Sequence, residues 1–371
     1  MVFLINASNL KQGGGIQVAD SICRLLKNFQ EHSFVVVLSS CMRMIRAEIE
    51  GEKNVEVFEY DITNNILTLL FGRDTFLDGL VASRNVKGVL TVFGPSRWNP
   101  KCPHLCGFAR SQLVLLSSPY FQQMKILSLF KAKMQNWLLK YFFIRSTRFF
   151  YTENPYISEL VERLFHRSSV YTVTNYYNQV YDQPKLWVDR RLPDFEGTTL
   201  LTVTANYPHK NLPISIEVVQ VLKKRYPGFQ FRFVFTIDES QFPVIPEELH
   251  EYFVFTGRVD ISECPSLYKQ AEVMFQPTLL ECFTATYPEA MKMSVPIVTV
   301  DMEFARGLCG DAALYYSPLS AEAAAEVIYK VATDEELRNH LLAVGKKQLD
   351  NYDTYEERAG KLIRLMEEIS V

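Results

Sequence analysis

The sequence lacks the marks of a membrane-spanning, secreted or disulfide-held protein. No apolar run reaches the roughly 18–20 residues that a membrane-spanning helix needs. Residues 1–9 carry no basic side chain and lead into a glycine loop, which is unlike a signal peptide. The 7 cysteines are odd in number and scattered, which favours free thiols over a disulfide framework. We therefore expect a cytoplasmic protein.

Two motifs of common cofactor and metal enzymes are also missing. The dinucleotide fingerprint Gly-x-Gly-x-x-Gly is absent, and the second predicted strand ends in Ser39-Ser40 rather than in an acidic residue. A nicotinamide-dependent dehydrogenase is therefore disfavoured. The segment Cys102-Pro103-His104-Leu105-Cys106 has no partner pair at zinc-site spacing, so we interpret it as structural and expect no bound metal.

Acidic residues are missing from one long stretch. Residues 79–152 contain eleven Lys or Arg and no Asp or Glu, whereas the whole chain has 39 basic and 42 acidic residues. Part of this stretch interleaves apolar residues with Lys125, Lys131, Lys133, Lys140, Arg145 and Arg148. The pattern is typical of a helix that lies on an anionic membrane surface. The apolar residues are equally compatible with the core face of an ordinary helix.

The residues that are present indicate an α/β protein of two domains. With 371 residues and 48% hydrophobic side chains, the chain is long enough for two cores. Strands are expected at 2–6, 34–38, 89–93, 148–151, 170–173, 200–204, 231–235, 253–256, 273–276, 297–300 and 312–316, with helices between them. This alternation predicts two doubly wound, Rossmann-like domains that face each other across a cleft. We place them at 1–185 and 186–350, joined by a linker at 182–197, with a C-terminal helix at 351–371 that can pack back on the first domain.

Two loops are candidates for holding an anion. Gly13-Gly14-Gly15 follows the first strand and opens a helix, where backbone N–H groups can approach a phosphate closely. The same glycines fit a plain tight turn. Lys210 follows the first strand of the second domain, at the edge where ligands of such sheets bind. The neighbouring His209 is interpreted as a solvated or capping residue.

The most specific segment is 281–291, which holds two carboxylates eight residues apart. Glu281 is expected on a loop and Glu289 inside the following helix, with Thr284 or Thr286 as the helix cap. Each carboxylate is suited to accepting hydrogen bonds from ligand hydroxyl groups. The alternatives are a surface loop residue for Glu281 and a favourable helix N-terminal charge for Glu289.

Glu281 and Glu289 resemble the two-glutamate motif of retaining GT-B glycosyltransferases, specifically glycosyltransferase family 4, group 1. Further segments follow the order of that family from about residue 170 to 350: Val173-Thr174-Asn175, Pro208–Asn211, Phe255-Thr256-Gly257, Gln276-Pro277-Thr278, Val295–Val298 and Gly310–Tyr315. In the first half the resemblance is limited to the strand, the three glycines and the helix.

The resemblance implies roles for individual residues. Glu289 would hold the ribose of a nucleotide sugar and Glu281 the hydroxyl groups of the transferred sugar. Lys210 and the backbone amides near Phe283 and Thr284 would neutralise the diphosphate leaving group, so that Lys210 and Glu281 are the catalytic pair. Gly14 and Gly15 would close on the donor from the opposite domain.

Two positions depart from the family pattern. Ala205 stands where an arginine is usual, and Cys282 stands where a glycine is usual. The histidine often found in the N-terminal domain of the family has no match near Gly107-Phe108. Leaving-group stabilisation therefore depends more heavily on Lys210.

The resemblance thus implies a retaining, metal-independent hexosyltransferase without a cofactor. Positioned donors and a cation can stabilise a departing diphosphate without metal, and no Asp-x-Asp pair is present to bridge one. The expected acceptor is a saccharide or a lipid-diphosphate-linked saccharide of cell-surface polysaccharide or glycolipid assembly, used at the inner membrane face. A sugar-nucleotide epimerase and a degenerate nucleotide-sugar-binding scaffold are the alternatives. Nucleic-acid binding is disfavoured because no recognisable module is present.

Overall fold

Strands and helices alternate throughout the computed structural model, which describes residues 1–11, 13–63, 65–166 and 169–371. The strands are β1 (Val2–Ala7), β2 (Ser33–Leu38), β3 (Val55–Glu59), β4 (Gly88–Thr91), β5 (His104–Gly107), β6 (Phe149–Thr152), β7 (Val170–Thr172), β8 (Thr198–Thr202), β9 (Phe231–Phe235), β10 (Phe253–Phe255), β11 (Val273–Gln276), β12 (Ile297–Val300) and β13 (Ala313–Tyr316). The α-helices are α1 (Gly14–Leu25), α2 (Arg43–Ile49), α3 (Thr75–Ser83), α4 (Ser111–Val114), α5 (Pro119–Gln122), α6 (Ile126–Ser146), α7 (Pro155–Phe165), α8 (Ile214–Arg225), α9 (Cys264–Tyr268), α10 (Thr286–Lys292), α11 (Glu303–Cys309), α12 (Ala321–Thr333), α13 (Glu335–Gln348) and α14 (Tyr355–Ser370).

The chain divides into two compact units, each with its own parallel sheet. The first unit comprises 1–116, 124–175 and 353–371, and the second comprises 117–123 and 176–352. The sheet of the first unit has seven strands in the order β3-β2-β1-β4-β5-β6-β7, and that of the second has six in the order β10-β9-β8-β11-β12-β13. Both orders reverse direction beside the first strand of the unit, as in doubly wound nucleotide-binding sheets. The expected α/β class with two Rossmann-like domains is confirmed.

The C-terminal helix α14 belongs to the first unit. Its Leu362 and Met366 are fully buried in the same core as Phe3 and Ile5 of β1. The helix begins with a capping box, in which the Thr354 hydroxyl accepts from the Glu357 N–H and the Glu357 carboxylate accepts from the Thr354 N–H. Burial of this apolar stripe holds the end of the chain against the sheet that its beginning forms.

Two strands of the first sheet were missed from the sequence. β3 is an edge strand with glutamates at Glu56 and Glu59, so its apolar alternation is weak. β5 (His104–Gly107) contains the second half of the Cys102–Cys106 segment, which we interpret as structural from the sequence. Its His104 donates from Nδ1 to the Ser146 carbonyl at 2.6 Å and accepts at Nε2 from Thr91 at 2.8 Å. Burial lowers the pKa of His104 to about 4, so the ring is a neutral core residue.

The boundary between the units lies ten residues earlier than the sequence suggested, between Asn175 and Tyr176. The stretch 182–197, expected to be a linker, is fastened to the second unit instead. The Arg190 N–H donates to Ser266 Oγ at 3.0 Å, and the Leu192 N–H donates to Gln270 Oε1 at 2.9 Å. Its prolines and polar residues are typical of a linker, but the side chains of Ser266 in α9 and of Gln270, two residues after α9, satisfy part of its backbone.

Candidate functional site

The second unit brings together five of the seven predicted site residues. Lys210 lies in the loop after β8, Glu281, Phe283 and Thr284 lie in the loop after β11, and Glu289 lies in α10. Because β8 and β11 are neighbouring parallel strands, the two loops emerge at the same edge of the sheet. Gly14 and Gly15 lie in the first unit, at the start of α1.

The two loops of the second unit are joined through their backbones. The Leu279 N–H donates to the His209 carbonyl at 2.8 Å. The carbonyl of the same residue accepts a hydrogen bond from the Ser118 hydroxyl at 2.6 Å, which connects the segment 117–123 to the loop after β11. These bonds fix the position of the loop that carries Glu281 relative to the loop that carries Lys210.

Lys210 and Glu281 form an ion pair at this junction. The ammonium group donates to Glu281 Oε1, and both side chains are only 13% exposed. The Thr278 hydroxyl donates to the same oxygen at 3.1 Å. An ammonium has three protons to donate, so Lys210 retains donors for an anion. Glu281 Oε2 is the oxygen that remains for a ligand hydroxyl.

His209 lies between two aromatic rings beside this ion pair. The ring of Tyr207 is nearly parallel to it at a centroid distance of 5.6 Å, and Tyr120 is perpendicular to it at 6.1 Å. Burial lowers the pKa of His209 below its ordinary value, so the imidazole is mainly neutral at pH 7. The positive charge of the junction is therefore that of Lys210. No sequence pattern pointed to Tyr120, which comes from a distant segment.

Glu289 is a buried carboxylate. Its side chain is only 3% exposed, and the Tyr268 hydroxyl donates to its Oε2 at 3.2 Å. Burial raises the pKa of Glu289 to about 7, because charge is costly away from water, and the hydroxyls of Tyr181 and Tyr268 beside the carboxylate partly offset this effect. Tyr268 was missed as a partner, since it lies 21 positions earlier in the chain on α9.

The expected threonine cap of α10 is wrong. Ala285 occupies the N-cap position with helical dihedral angles, φ −64° and ψ −21°, and no side chain caps the helix. The hydroxyls of Thr284 and Thr286 bond to each other instead, at 2.9 Å, and Gln276 donates to Thr286 at 3.2 Å. The three side chains therefore link the end of β11 to the beginning of α10. Phe283, next to them, packs edge-on against Tyr352 at 6.1 Å.

The glycine loop of the first unit has structural reasons for two of its glycines. Gly13 adopts a φ of +77°, which favours glycine, and a Cβ at Gly15 would meet Leu10 and Phe93 at 3.3 and 3.4 Å. A Cβ at Gly14 would meet no atom of the described residues within 4 Å. The open space at Gly14 is compatible with the predicted approach of a donor.

A separate candidate surface lies on α6 in the first unit. The inner side of this helix carries Leu129, Ala132, Asn136, Leu139, Phe143 and Ser146, which are half-buried or buried. The outer side carries a second row of apolar residues between 42% and 86% exposed, here named the apolar stripe: Ile126, Leu127, Phe130, Met134, Trp137, Leu138, Tyr141 and Ile144. The first unit covers the inner apolar side of α6, so the outer apolar side remains exposed for a partner.

Lysines border this apolar stripe. At 3.6 residues per turn, Lys133 and Lys140 follow one edge and Lys131 the other. Arg145 is not available to a partner in the same way, because its guanidinium donates to the carbonyls of Leu69, Thr68 and Arg97 at 2.5–2.9 Å. Among the residues that the structure describes, α6 included, no helix has the length and hydropathy to cross a bilayer.

Comparison with known sequences finds similarity in the second unit. Residues 192–348 match the family Glycosyl transferases group 1. A phosphatidyl-myo-inositol mannosyltransferase of Mycolicibacterium smegmatis is 26% identical over 179 residues. That match covers 47% of this chain and 46% of the mannosyltransferase, so it spans about half of either protein.

Comparison with solved structures extends over nearly the whole chain. WaaG, a glycosyltransferase involved in lipopolysaccharide biosynthesis, superposes with a TM-score of 0.68 at 15% identity, covering 99% of both chains. HepE of Anabaena, in complex with UDP and glucose, gives 0.67 at 12% identity with the same coverage. A putative UDP-N-acetylglucosamine 2-epimerase of Listeria monocytogenes gives 0.58 at 13% identity, covering 98% of this chain and 94% of its own. The chain therefore has the GT-B fold, and residues 192–348 of its second unit match the glycosyl transferases group 1 family.

Proposed function

We propose that this protein is a retaining glycosyltransferase that moves a hexosyl group from a nucleotide sugar to a saccharide or lipid-linked acceptor. The observation that carries the proposal is the Lys210–Glu281 ion pair at the carboxyl edge of the second sheet, with Glu281 eight residues before the buried Glu289. The similarity to a mannosyltransferase, and the UDP and glucose bound by HepE, support a nucleotide sugar as the donor.

We assign each part of the donor to the side chain whose chemistry suits it. Glu289 accepts hydrogen bonds from the ribose, and Glu281 Oε2 accepts them from the sugar. Lys210 donates to the diphosphate, on which negative charge develops as its bond to the anomeric carbon breaks. The acceptor oxygen forms the new bond on the same face of the sugar, and its proton passes to the departing phosphate oxygen. No metal is required in this scheme.

We further propose that α6 lies on an anionic membrane, where a lipid-diphosphate-linked acceptor would be found. The apolar stripe offers side chains to the acyl boundary while Lys131, Lys133 and Lys140 reach lipid phosphates. The absence of acidic residues from 79–152 keeps the neighbouring surface from repelling those phosphates. The protein would then work as a peripheral enzyme at the inner face of the membrane in polysaccharide or glycolipid assembly.

A thermal-shift screen of nucleotide sugars and free nucleoside diphosphates tests the donor site. A ligand at 100 times its dissociation constant stabilises the folded protein by about 2.7 kcal/mol, which such a screen detects. Glu289→Ala should weaken both the sugar nucleotide and the free diphosphate, whereas Glu281→Ala should spare the diphosphate and reduce turnover. Equal losses for both ligands in both variants would reject this division.

Incubation of the identified donor without acceptor separates the remaining possibilities. A transferase gives at most slow hydrolysis to free sugar and nucleoside diphosphate. Conversion of the donor to an isomeric sugar nucleotide would show an epimerase, and tight binding without any turnover in the presence of acceptors would show a scaffold. Because Ala205 stands where an arginine is usual, the proposed contact with the diphosphate depends on Lys210, and Lys210→Ala should reduce turnover. Lys224→Ala, at an exposed lysine of α8, is the matched control.

A further inference from the structure

A second group of exposed apolar side chains lies in the first unit, outside α6. The segment Ile66–Phe71, here named the apolar turn, includes one turn of π-helix at Leu67–Phe71. Ile66, Leu67, Leu70 and Phe71 are each between 50% and 70% exposed. The sequence has no charged residue from 62 to 72. Four such residues together form a patch of the kind that marks an interaction site on a soluble surface.

The base of the apolar turn is fixed by polar contacts. Thr68 is fully buried, and its N–H and hydroxyl both donate to Asn65 Oδ1, at 2.9 and 3.0 Å. The turn ends at Gly72, whose φ of +65° favours glycine and whose carbonyl accepts from the Asn99 N–H at 2.8 Å. The polar groups thus point inward and the apolar side chains outward, which is the reverse of an ordinary surface loop.

Arg145 of α6 joins the apolar turn to the apolar stripe. Its guanidinium donates to the Leu69 carbonyl at 2.5 Å and to the Thr68 carbonyl at 2.9 Å, and it lies over the ring of Tyr141 at 5.6 Å. Tyr141 and the adjacent Ile144 are members of the stripe. The two apolar surfaces therefore adjoin at this residue.

Among the described residues, the acids nearest to the apolar turn in the sequence all have partners. Asp61 pairs with Lys11, Asp78 pairs with Arg73 at 2.9 Å, and the buried Asp74 caps α3. On the other side lie the lysines that border the stripe. An apolar tip with basic flanks matches a bilayer that has an apolar interior and anionic headgroups.

We infer that the apolar turn inserts into the same anionic bilayer as α6, so that the first unit meets the membrane with a composite surface of two elements held together by Arg145. The inference rests on the proposed membrane association of α6. It adds a second, independently removable contact, which contains no basic residue and therefore contributes through apolar burial alone.

Sedimentation with phosphatidylcholine–phosphatidylglycerol vesicles tests the inference. The variant with Leu70→Ser and Phe71→Ser should bind these vesicles at least about tenfold more weakly, because apolar area is no longer buried on binding. Val244→Ser, which removes an exposed apolar side chain of the second unit, is the matched control and should bind like the wild type. Added salt should weaken what remains of the binding in the double variant, since the lysines of α6 still contribute.

Depth-dependent quenching gives a second readout that does not require a polar substitution. In a Trp137→Phe background, Phe71→Trp places an indole in the apolar turn with its apolar character retained. Lipids brominated on their acyl chains should quench its fluorescence, and they should leave Val244→Trp in the same background unquenched. This measurement decides the question if the double serine variant fails to fold.

The outcomes separate the inference from the proposal beneath it. A wild type that ignores anionic vesicles at low salt overturns the membrane proposal together with this inference. A wild type that binds, with the Phe71→Trp indole unquenched, overturns the inference alone. Self-association of the wild type that is lost in the double serine variant, without quenching, would assign the apolar turn to a contact between protein copies and would also overturn it.

Discussion

The candidate sites of the two units depart from ordinary burial in opposite directions. The second unit places charge inside, with Glu289 at 3% exposure and Lys210 paired to Glu281 at 13%. The first unit leaves apolar side chains outside, on the apolar stripe and the apolar turn. Buried charge and exposed apolar area both lower the stability of the folded protein, so both features indicate a role other than stability. The difference matches our proposal that the second unit binds the donor and the first unit attaches to a membrane.

The largest effect is expected from removing the charge that borders the apolar stripe. Replacing Lys125, Lys131, Lys133 and Lys140 together by Gln should lower binding to anionic vesicles by about 100-fold or more at low salt, since each contributes about 1 kcal/mol. The difference should shrink at physiological salt, where the Debye length is about 8 Å. Vesicle sedimentation across a salt series measures both effects.

The control for that experiment lies in the other unit. Four exposed lysines, Lys224, Lys330, Lys346 and Lys347, can be changed to Gln together with the same loss of charge. If this control lost vesicle binding equally, net charge rather than the α6 surface would explain attachment. The fourfold Lys→Gln variant near α6 should retain wild-type donor affinity. This result would show that vesicle binding and donor binding depend on different units.

The next largest effect is expected at the ion pair of the second unit. Lys210→Ala should lower kcat/KM about 10–100-fold, because a hydrogen bond to a charged group contributes about 1.5–3 kcal/mol. Glu281→Gln should retain affinity for the nucleoside diphosphate, since it releases Lys210 from its carboxylate partner, and should lower turnover. Steady-state kinetics and calorimetry distinguish the two. A Lys210→Ala enzyme with wild-type kinetics would place the phosphates elsewhere.

Glu289 should reveal the cost of its burial through stability. Its pKa is about 7 when folded and about 4.5 as an ordinary carboxyl, so the native state holds this proton more tightly than the unfolded chain does. Stability contributed by the protonated form is therefore lost as pH rises from about 4.5 to 7. Glu289→Gln should melt at a higher temperature than the wild type at pH 8, with a difference that narrows towards pH 4.5, while donor affinity falls.

Scanning calorimetry of both proteins across this pH range makes the comparison. Glu153 in the first unit has a pKa raised to about 7 for the same reason, but it is present in both proteins and cancels in the difference. A Glu289→Gln protein that is less stable at pH 8 would show that the carboxylate has stabilising partners that outweigh its burial.

The core of each sheet could be predicted from the sequence because buried parallel strands are nearly continuous apolar runs. β9, β11 and β12 begin and end where the pattern placed them. The sequence also placed Glu281 on a loop and Glu289 in a helix. It missed β3, whose two glutamates interrupt the pattern at an exposed sheet edge.

What the sequence could not supply were contacts between distant residues. Lys210 and Glu281 are 71 positions apart, and nothing local indicates that the ammonium reaches that carboxylate. Periodicity alone left α6 undecided, because both of its sides are apolar and only the surrounding structure shows which side is covered. The apolar turn was missed for a similar reason, since a short apolar run is typical of a buried strand.

The smallest effect is expected from removing the Tyr268 hydroxyl, one of two tyrosine hydroxyls beside Glu289. Tyr268→Phe removes a hydrogen bond that favours the ionised carboxylate, so the pKa of Glu289 should rise further. If the ribose binds the ionised carboxylate, donor affinity should fall as the pH is lowered, and in the variant this fall should begin at a higher pH than in the wild type. The expected loss is about two- to fivefold at pH 7, and no loss is expected at alkaline pH. Tyr287→Phe is the matched control, because that buried hydroxyl bonds Thr299 at 2.7 Å and not Glu289. Donor titrations at several pH values would contradict this role if both variants lost affinity equally at every pH, since a purely structural loss does not move the midpoint.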